Sequence, residues 1–243
     1  SVAAASVAVV VVAGGALATT ASLRTSGPPQ PATQAPTVVP EPERPPLREA
    51  LLTADQTRYF ETGDFEVTDT VRGEGDAPVS ACQRDRLGAQ GLGALEVWRR
   101  DFAFKDGGDL RMRTAVLQLE DAASAQQAYA TLRSWVEGCE PTLLEQRGFE
   151  RADVRGDWYA TGPGQQEFTV FTYGPVPGDE FEELAFFDGT GIAVAGTRVM
   201  LVSMRVPGQD WNWAYDERTA RQTGLGLHPM FVTMKAAHAN LRR

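Results

Sequence analysis

Trp211, Trp213 and Tyr215 alternate along residues 209–215, so an extended chain presents three aromatic rings on one face. Asp210 and Asn212 sit between them. Flat rings that stack and polar neighbours that orient are what a wall for a small ligand or a glycan requires. The same rings could equally close the end of a core, where the last strand passes to the last helix. Trp98 and Arg100 share one face of a predicted strand, with Asp101 opposite. They are open to the same two readings, a cleft wall or a buried indole with a charged rim. The ligand-cleft candidates are therefore Trp98, Arg100, Asp210, Trp211, Trp213 and Tyr215.

Catalytic chemistry has fewer footholds. There is no Gly-x-Ser-x-Gly elbow and no His-Glu-x-x-His. A hydrolytic triad would need His228 or His238. His228 precedes Pro229 at a predicted helix start, a capping or surface position. His238 lies among Ala and Asn on that helix and is expected to be partly exposed. Asp179, Glu180, Glu182 and Glu183 could pair as carboxylates for sugar hydrolysis. They lack the regular spacing of a calcium loop, and the plainer reading is a solvated strand entrance. No catalytic residue, metal site or cofactor is assigned.

Cys82 and Cys139 are the only cysteines. In an exported protein two cysteines most simply form one disulfide. Two free thiols or a redox pair is the competing reading, without a Cys-x-x-Cys spacing or a nearby His to support it.

The elements that must hold these residues form an α+β domain over residues 47–243. Strands are predicted at 65–71, 95–104, 110–119, 157–161, 167–173, 181–187, 191–195 and 198–206. Gly and Pro punctuate them, with Asp188-Gly189 read as a turn. Asp106-Gly107-Gly108 supplies the positive φ of a hairpin. Consecutive strands with short turns imply an antiparallel meander. Two main helices flank it. Residues 121–137 place Ala125, Ala128, Tyr129, Leu132, Trp135 and Val136 on one face, with Asp121 as N-cap and Gly138 as the stop. Residues 229–241 do the same with Met230, Phe231, Met234, Ala237 and Leu241, after a proline suited to a first turn.

Upstream, residues 1–23 carry no charged side chain. They read as a signal peptide, with Ala16-Leu17-Ala18 as a cleavage pattern, or as a membrane anchor. The absence of Met or a basic flank at Ser1 points to sequence removed upstream. Residues 24–46 form a proline-rich linker, with eight prolines between Gly27 and Pro46. Such a stretch favours an extended polyproline stalk of about 50–60 Å. No cysteine precedes Cys82, which excludes a lipidated cysteine at the membrane. The net charge is −9. All of it lies in the domain, because Arg24 and Arg44 balance Glu41 and Glu43. An acidic domain repels nucleic acid and anionic lipid, so the membrane is met only through the N-terminal segment.

The order Leu51-Leu52-Thr53-Ala54-Asp55, Ala81-Cys82-Gln83-Arg84, Arg99-Arg100-Asp101-Phe102 and Trp135-Val136-Glu137-Gly138-Cys139 resembles the PknH-type extracellular sensor domain of actinobacteria. Val206-Pro207-Gly208-Gln209-Asp210-Trp211-Asn212-Trp213 continues the resemblance before the last helix. That family hangs from Ser/Thr kinases or is exported free. The resemblance implies an antiparallel sheet, a flanking helix pair and a ligand cleft. Kinase-linked members commonly carry two disulfides, and this chain can form only one. It holds no Gly-rich loop with a Val-Ala-x-Lys strand and no His-Arg-Asp segment, so it performs no phosphoryl transfer itself. The expected function is a non-enzymatic, extracytoplasmic sensor that binds a small molecule or envelope fragment and signals to a membrane partner. The alternative is a secreted cell-envelope hydrolase that uses carboxylates.

Overall fold

The computed structural model describes residues 44–59, 63–107, 110–147, 152–173, 185–208 and 213–243. The predicted signal or anchor segment, nearly all of the linker, and Asp179 to Glu183 lie outside them.

Seven strands form one antiparallel sheet: β1 (Phe65–Arg72), β2 (Glu96–Phe104), β3 (Arg111–Gln118), β4 (Ala152–Ala160), β5 (Gln166–Tyr173), β6 (Ala185–Ala195) and β7 (Arg198–Gly208). Their order is β1-β2-β3-β7-β6-β5-β4. Two meanders, β1 to β3 and β4 to β7, therefore join where β7 pairs with β3, in the register Ala115 opposite Leu201. The chain reaches the far edge of the sheet through α1 (Ala122–Glu137) and α2 (Glu140–Arg147). After β7 come β8 (Trp213–Ala214), α3 (Glu217–Thr223), β9 (Gly226–Leu227) and α4 (Pro229–Leu241). The fold is α+β, as expected.

Both faces of the central strands are covered, which explains why β3 and β7 read as unbroken apolar runs rather than alternating ones. Ala115, Leu117, Ile192, Val194, Val199 and Leu201 pack with Ala125, Ala128, Tyr129 and Leu132 of α1. Residues of the other parity, including Val170, Met200, Val202 and Met204, pack with Met230, Phe231 and Met234 of α4. Leu47, Ala50, Leu51 and Leu52, in and just after a short 3-10 turn, join this second layer.

One predicted turn is a strand instead. Asp188-Gly189 lies inside β6, and Gly189 pairs with both Val170 and Met204. The glycines answer to packing. A Cβ on Gly189 would stand 2.8 Å from Met230 Cγ, and one on Gly191 would stand 2.9 Å from Met234 Cγ. Bare backbone is what lets α4 lie close on β6.

Cys82 and Cys139 are joined, with Cα atoms 5.2 Å apart, and both are buried with Val136, Leu143 and Phe171. Asp121 caps α1 by accepting from the Ser124 N–H at 2.7 Å. Gly138 ends α1 with φ −103° rather than a left-handed turn. Its role is space, because the Arg84 guanidinium occupies the place of a side chain and donates to the Gly138 carbonyl at 2.6 Å.

Contacts also extend upstream of Leu47. Arg44 donates to Thr197 Oγ1 at 2.9 Å, and Arg198 donates to the Pro45 carbonyl at 2.6 Å. No helix among the described residues is long and apolar enough to cross a membrane.

Candidate functional site: a groove over the last helix

Trp98 and Arg100 belong to β2 and serve its neighbours. Trp98 is half-buried; its indole N–H donates to Glu96 at 3.0 Å, and Arg48 stacks over its ring at 5.5 Å. Arg100 donates to the Leu52 carbonyl at 2.7 Å and to Thr70 Oγ1 at 3.0 Å, binding a chain turn and β1 to the sheet. Burial, with a lesser contribution from Arg48, holds its pKa below the usual arginine range. The charge pair at this position is on the opposite face, where Arg99 and Asp101 meet in two hydrogen bonds.

Trp213 and Tyr215 sit elsewhere. Trp213 packs on Tyr59, which packs on Phe104 at the end of β2. Trp98 is six residues back along that strand, about 20 Å away, so β2 does not bring the two tryptophans together. Asp210 and Trp211 lie outside the described residues.

Tyr215 is buried, and its ring stacks on Tyr159 at 4.6 Å and on His228 at 5.1 Å. His228 is the N-cap of α4, and its Nδ1 accepts from the Met230 N–H at 3.1 Å. Burial pushes its pKa down to about 3. Its ring is neutral at physiological pH and structural in role. Trp213 is half-buried at the margin of this aromatic stack.

Directly after Tyr215 the surface opens. Asp216 begins α3 by accepting from the Arg218 and Thr219 N–H groups at 2.8 and 2.9 Å. Beside it lies a cavity of about 550 Å³ between α4 and the β4–β5 turn. Phe231, Thr161 and Gln166 line its inner side, and Lys235, Ala239 and Glu217 its outer side. Gln166 is buried and holds the turn by donating to the Pro163 carbonyl at 3.1 Å. Lys235 crosses from α4 to Glu217 at 3.0 Å. A second cavity, of about 520 Å³, shares Pro163, His238 and Arg242 with the first. The two make one groove along the C-terminal half of α4.

His238 stands where they meet. It is not partly exposed but 9% exposed. The β4–β5 turn covers it: Gly164, at φ +99°, lies so close that a Cβ would be 3.0 Å from the ring. Burial first, and Arg242 second, lower its pKa.

Among the described residues no group of three or more His, Cys, Asp or Glu side chains could hold a metal ion. No family model matches the chain, and no curated protein does. Among solved structures, it is similar to the extracellular domain of PknH from Mycobacterium tuberculosis. The identity is 12%, over 74% of this chain and 86% of that one, with a TM-score of 0.44. The human StarD13 (DLC2) lipid transfer and protein localization domain is a weaker likeness. Its identity is 10%, over 59% of this chain and 84% of that one, with a TM-score of 0.17. Both superpositions are loose, and the groove is defined by this chain's own geometry.

Proposed function

We propose that this chain is an extracytoplasmic, non-enzymatic sensor domain that binds a small molecule or envelope fragment in the groove over α4. The observation that carries this reading is the pair of adjoining cavities meeting at His238, next to the segment that begins at Trp213. The buried disulfide supports an oxidising compartment. The apolar segment and proline-rich stretch support a position beyond a membrane, and a membrane signalling protein is the partner this reading calls for.

The state of the carboxylates favours binding over hydrolysis. Among the described residues, Asp216 and Glu217 are the acids at the larger cavity. A general acid needs a raised pKa. Asp216 is held below the usual range by the N–H groups it caps, and Glu217 by Lys235. Both are spent on structure.

Ala239 is exposed on α4 and lines the larger cavity, so Ala239→Trp fills the groove without touching the core. Soluble peptidoglycan fragments are the probe. Saturable binding that Ala239→Trp abolishes, with the fragments recovered unchanged by mass spectrometry, is the expected outcome. Cleaved fragments would move the protein to the hydrolase class. Binding indifferent to Ala239→Trp, or no binding, would remove the groove as the site.

A further inference from the structure

Taking the groove as the binding site proposed above, we infer that it selects an uncharged, hydroxyl-bearing ligand, a sugar ring, and that Gln166 and His238 are the residues that read it.

The charged groups at the larger cavity are already committed. Among the described residues that line it, Asp216 caps α3, Glu217 pairs with Lys235, and Arg242 is the C-cap of α4, where a cation is favoured. The buried polar side chains of the lining are Thr161, Gln166 and His238. Thr161 Oγ1 donates to the Gln166 carbonyl at 3.5 Å. The other two hold hydrogen-bonding capacity that the described residues leave unused.

The large majority of buried side-chain polar atoms have a partner, so an exception requires a cause. Gln166 is 5% exposed, and its Oε1 accepts no hydrogen bond from the described residues. Turning the amide over does not repair this, because Nε2 is the group that meets the Pro163 carbonyl. His238 is buried at the junction of the two cavities, and neither ring nitrogen bonds a described residue. The β4–β5 turn is shaped around both side chains. A Cβ on Gly162 would stand 2.6 Å from Gln166 Nε2, and one on Gly164 would stand 3.1 Å from His238 Nε2. Two glycines within three residues thus make room for two groups whose hydrogen bonds the fold leaves open.

What is left open defines the ligand. Gln166 Oε1 needs a donor. His238, its pKa lowered by burial and by Arg242, is a neutral imidazole that offers one N–H and one acceptor nitrogen. An ionised carboxylate has no donor for Gln166, and an ammonium group has no acceptor for the imidazole N–H. A hydroxyl both gives and takes, and a sugar ring carries several at fixed spacing. The larger cavity, about 550 Å³, is of the size that holds small ligands.

Cellotriose and tri-N-acetylchitotriose, both uncharged, are the probes, and they separate hydroxyl from acetamido recognition. The chain has two histidines, so the ring signals of His238 can be followed by NMR as each sugar is added. At least one sugar should shift them saturably, and added salt should change the affinity less than about twofold. His238→Leu should weaken binding about tenfold at an unchanged or higher melting temperature, because it removes no hydrogen bond of the folded chain. His238→Gln, which returns a donor and an acceptor, should bind better than His238→Leu. Gln166→Met should weaken binding about tenfold as well. The inference is overturned if neither sugar binds, if the His238 signals do not move, or if His238→Leu and Gln166→Met bind as the parent does. If neither sugar binds while peptidoglycan fragments still do so in an Ala239-dependent manner, the sugar class falls and the groove stands. If the sugars bind as expected and are cleaved, their recognition stands and the non-enzymatic reading falls. Should Gln166→Met melt early through loss of its bond to Pro163, His238→Leu decides. Early melting of His238→Leu as well would assign the ring to structure and overturn the inference.

Discussion

Tyr215 lies face to face with His228, the ring centroids 5.1 Å apart and the planes 18° apart. The burial of His228 makes stability depend on pH. His228 has a folded pKa of about 3 against 6.5 for the unfolded chain. Between those values the unfolded state binds the extra proton. Stability is therefore fully present above pH 6.5 and is lost as pH falls, at about 1.4 kcal/mol per pH unit. His238, also shifted down by burial, adds a smaller loss of the same sign. Urea titrations between about pH 7.5 and about pH 4.5, across the upper part of the fall, should show this slope. His228→Asn keeps a capping oxygen and should flatten it. An equal slope in that variant would mean that other groups carry the acid sensitivity.

The same stack separates two aromatic residues that look alike in sequence. Tyr215 is core, so Tyr215→Ala should cost about 3–5 kcal/mol of stability. Trp213 is half-buried, so Trp213→Ala should cost about 1–2 kcal/mol. Chemical denaturation of the two variants measures both. Equal losses would place the indole in the core and remove it as a wall of any ligand site.

Much of the fold was legible because α1 and α4 carry long apolar faces with caps at their starts, and because strand runs are separated by Gly and Pro. The two short helices were not. α2 and α3 are mostly polar, and for α3 only Asp216 before it and Gly224 after it, with φ +75°, hinted at a helix. The groove was hidden for a different reason. Its residues come from the β4–β5 turn, the start of α3, the end of α4 and the chain near Arg44, and only the sheet order makes them neighbours. The alternating aromatics around Trp213 did not mark it, since neither Trp213 nor Tyr215 is among the described residues that line its cavities. His238, a lone histidine among small residues, carried no sign that Gly164 would cover it.

Gly191 offers a test of the contact that sets the position of α4. An added methyl must displace Met230 and Met234 from a closed layer. Gly191→Ala should therefore lower stability by about 1–3 kcal/mol. Gly226 is the control, because the nearest atom to a Cβ there is the Trp213 ring at 3.6 Å, an ordinary contact. Gly226→Ala should stay within about 0.5 kcal/mol of the parent. Thermal melts of both suffice, and a neutral Gly191→Ala would show that the methionines yield without cost.

The disulfide yields the last prediction. It closes a loop 57 residues long, and restricting the unfolded chain to that extent is worth about 4 kcal/mol in the chain-entropy model. The bond also has a local task. It fixes the stretch before β2 to the end of α1, at the junction where Arg84 already holds the Gly138 carbonyl. Both sulfurs are buried with Leu143 of α2, so the serines of a Cys82→Ser, Cys139→Ser double variant would enter an apolar cluster. The variant should lose about 4 kcal/mol or somewhat more, and the parent should lose a similar amount when unfolded under reducing conditions. Amide exchange should quicken first in α2 and the last turn of α1, while β3, β6 and β7, packed on both faces, stay protected. Uniform loss of protection across the sheet would instead mean that the bridge holds the whole domain in one cooperative unit.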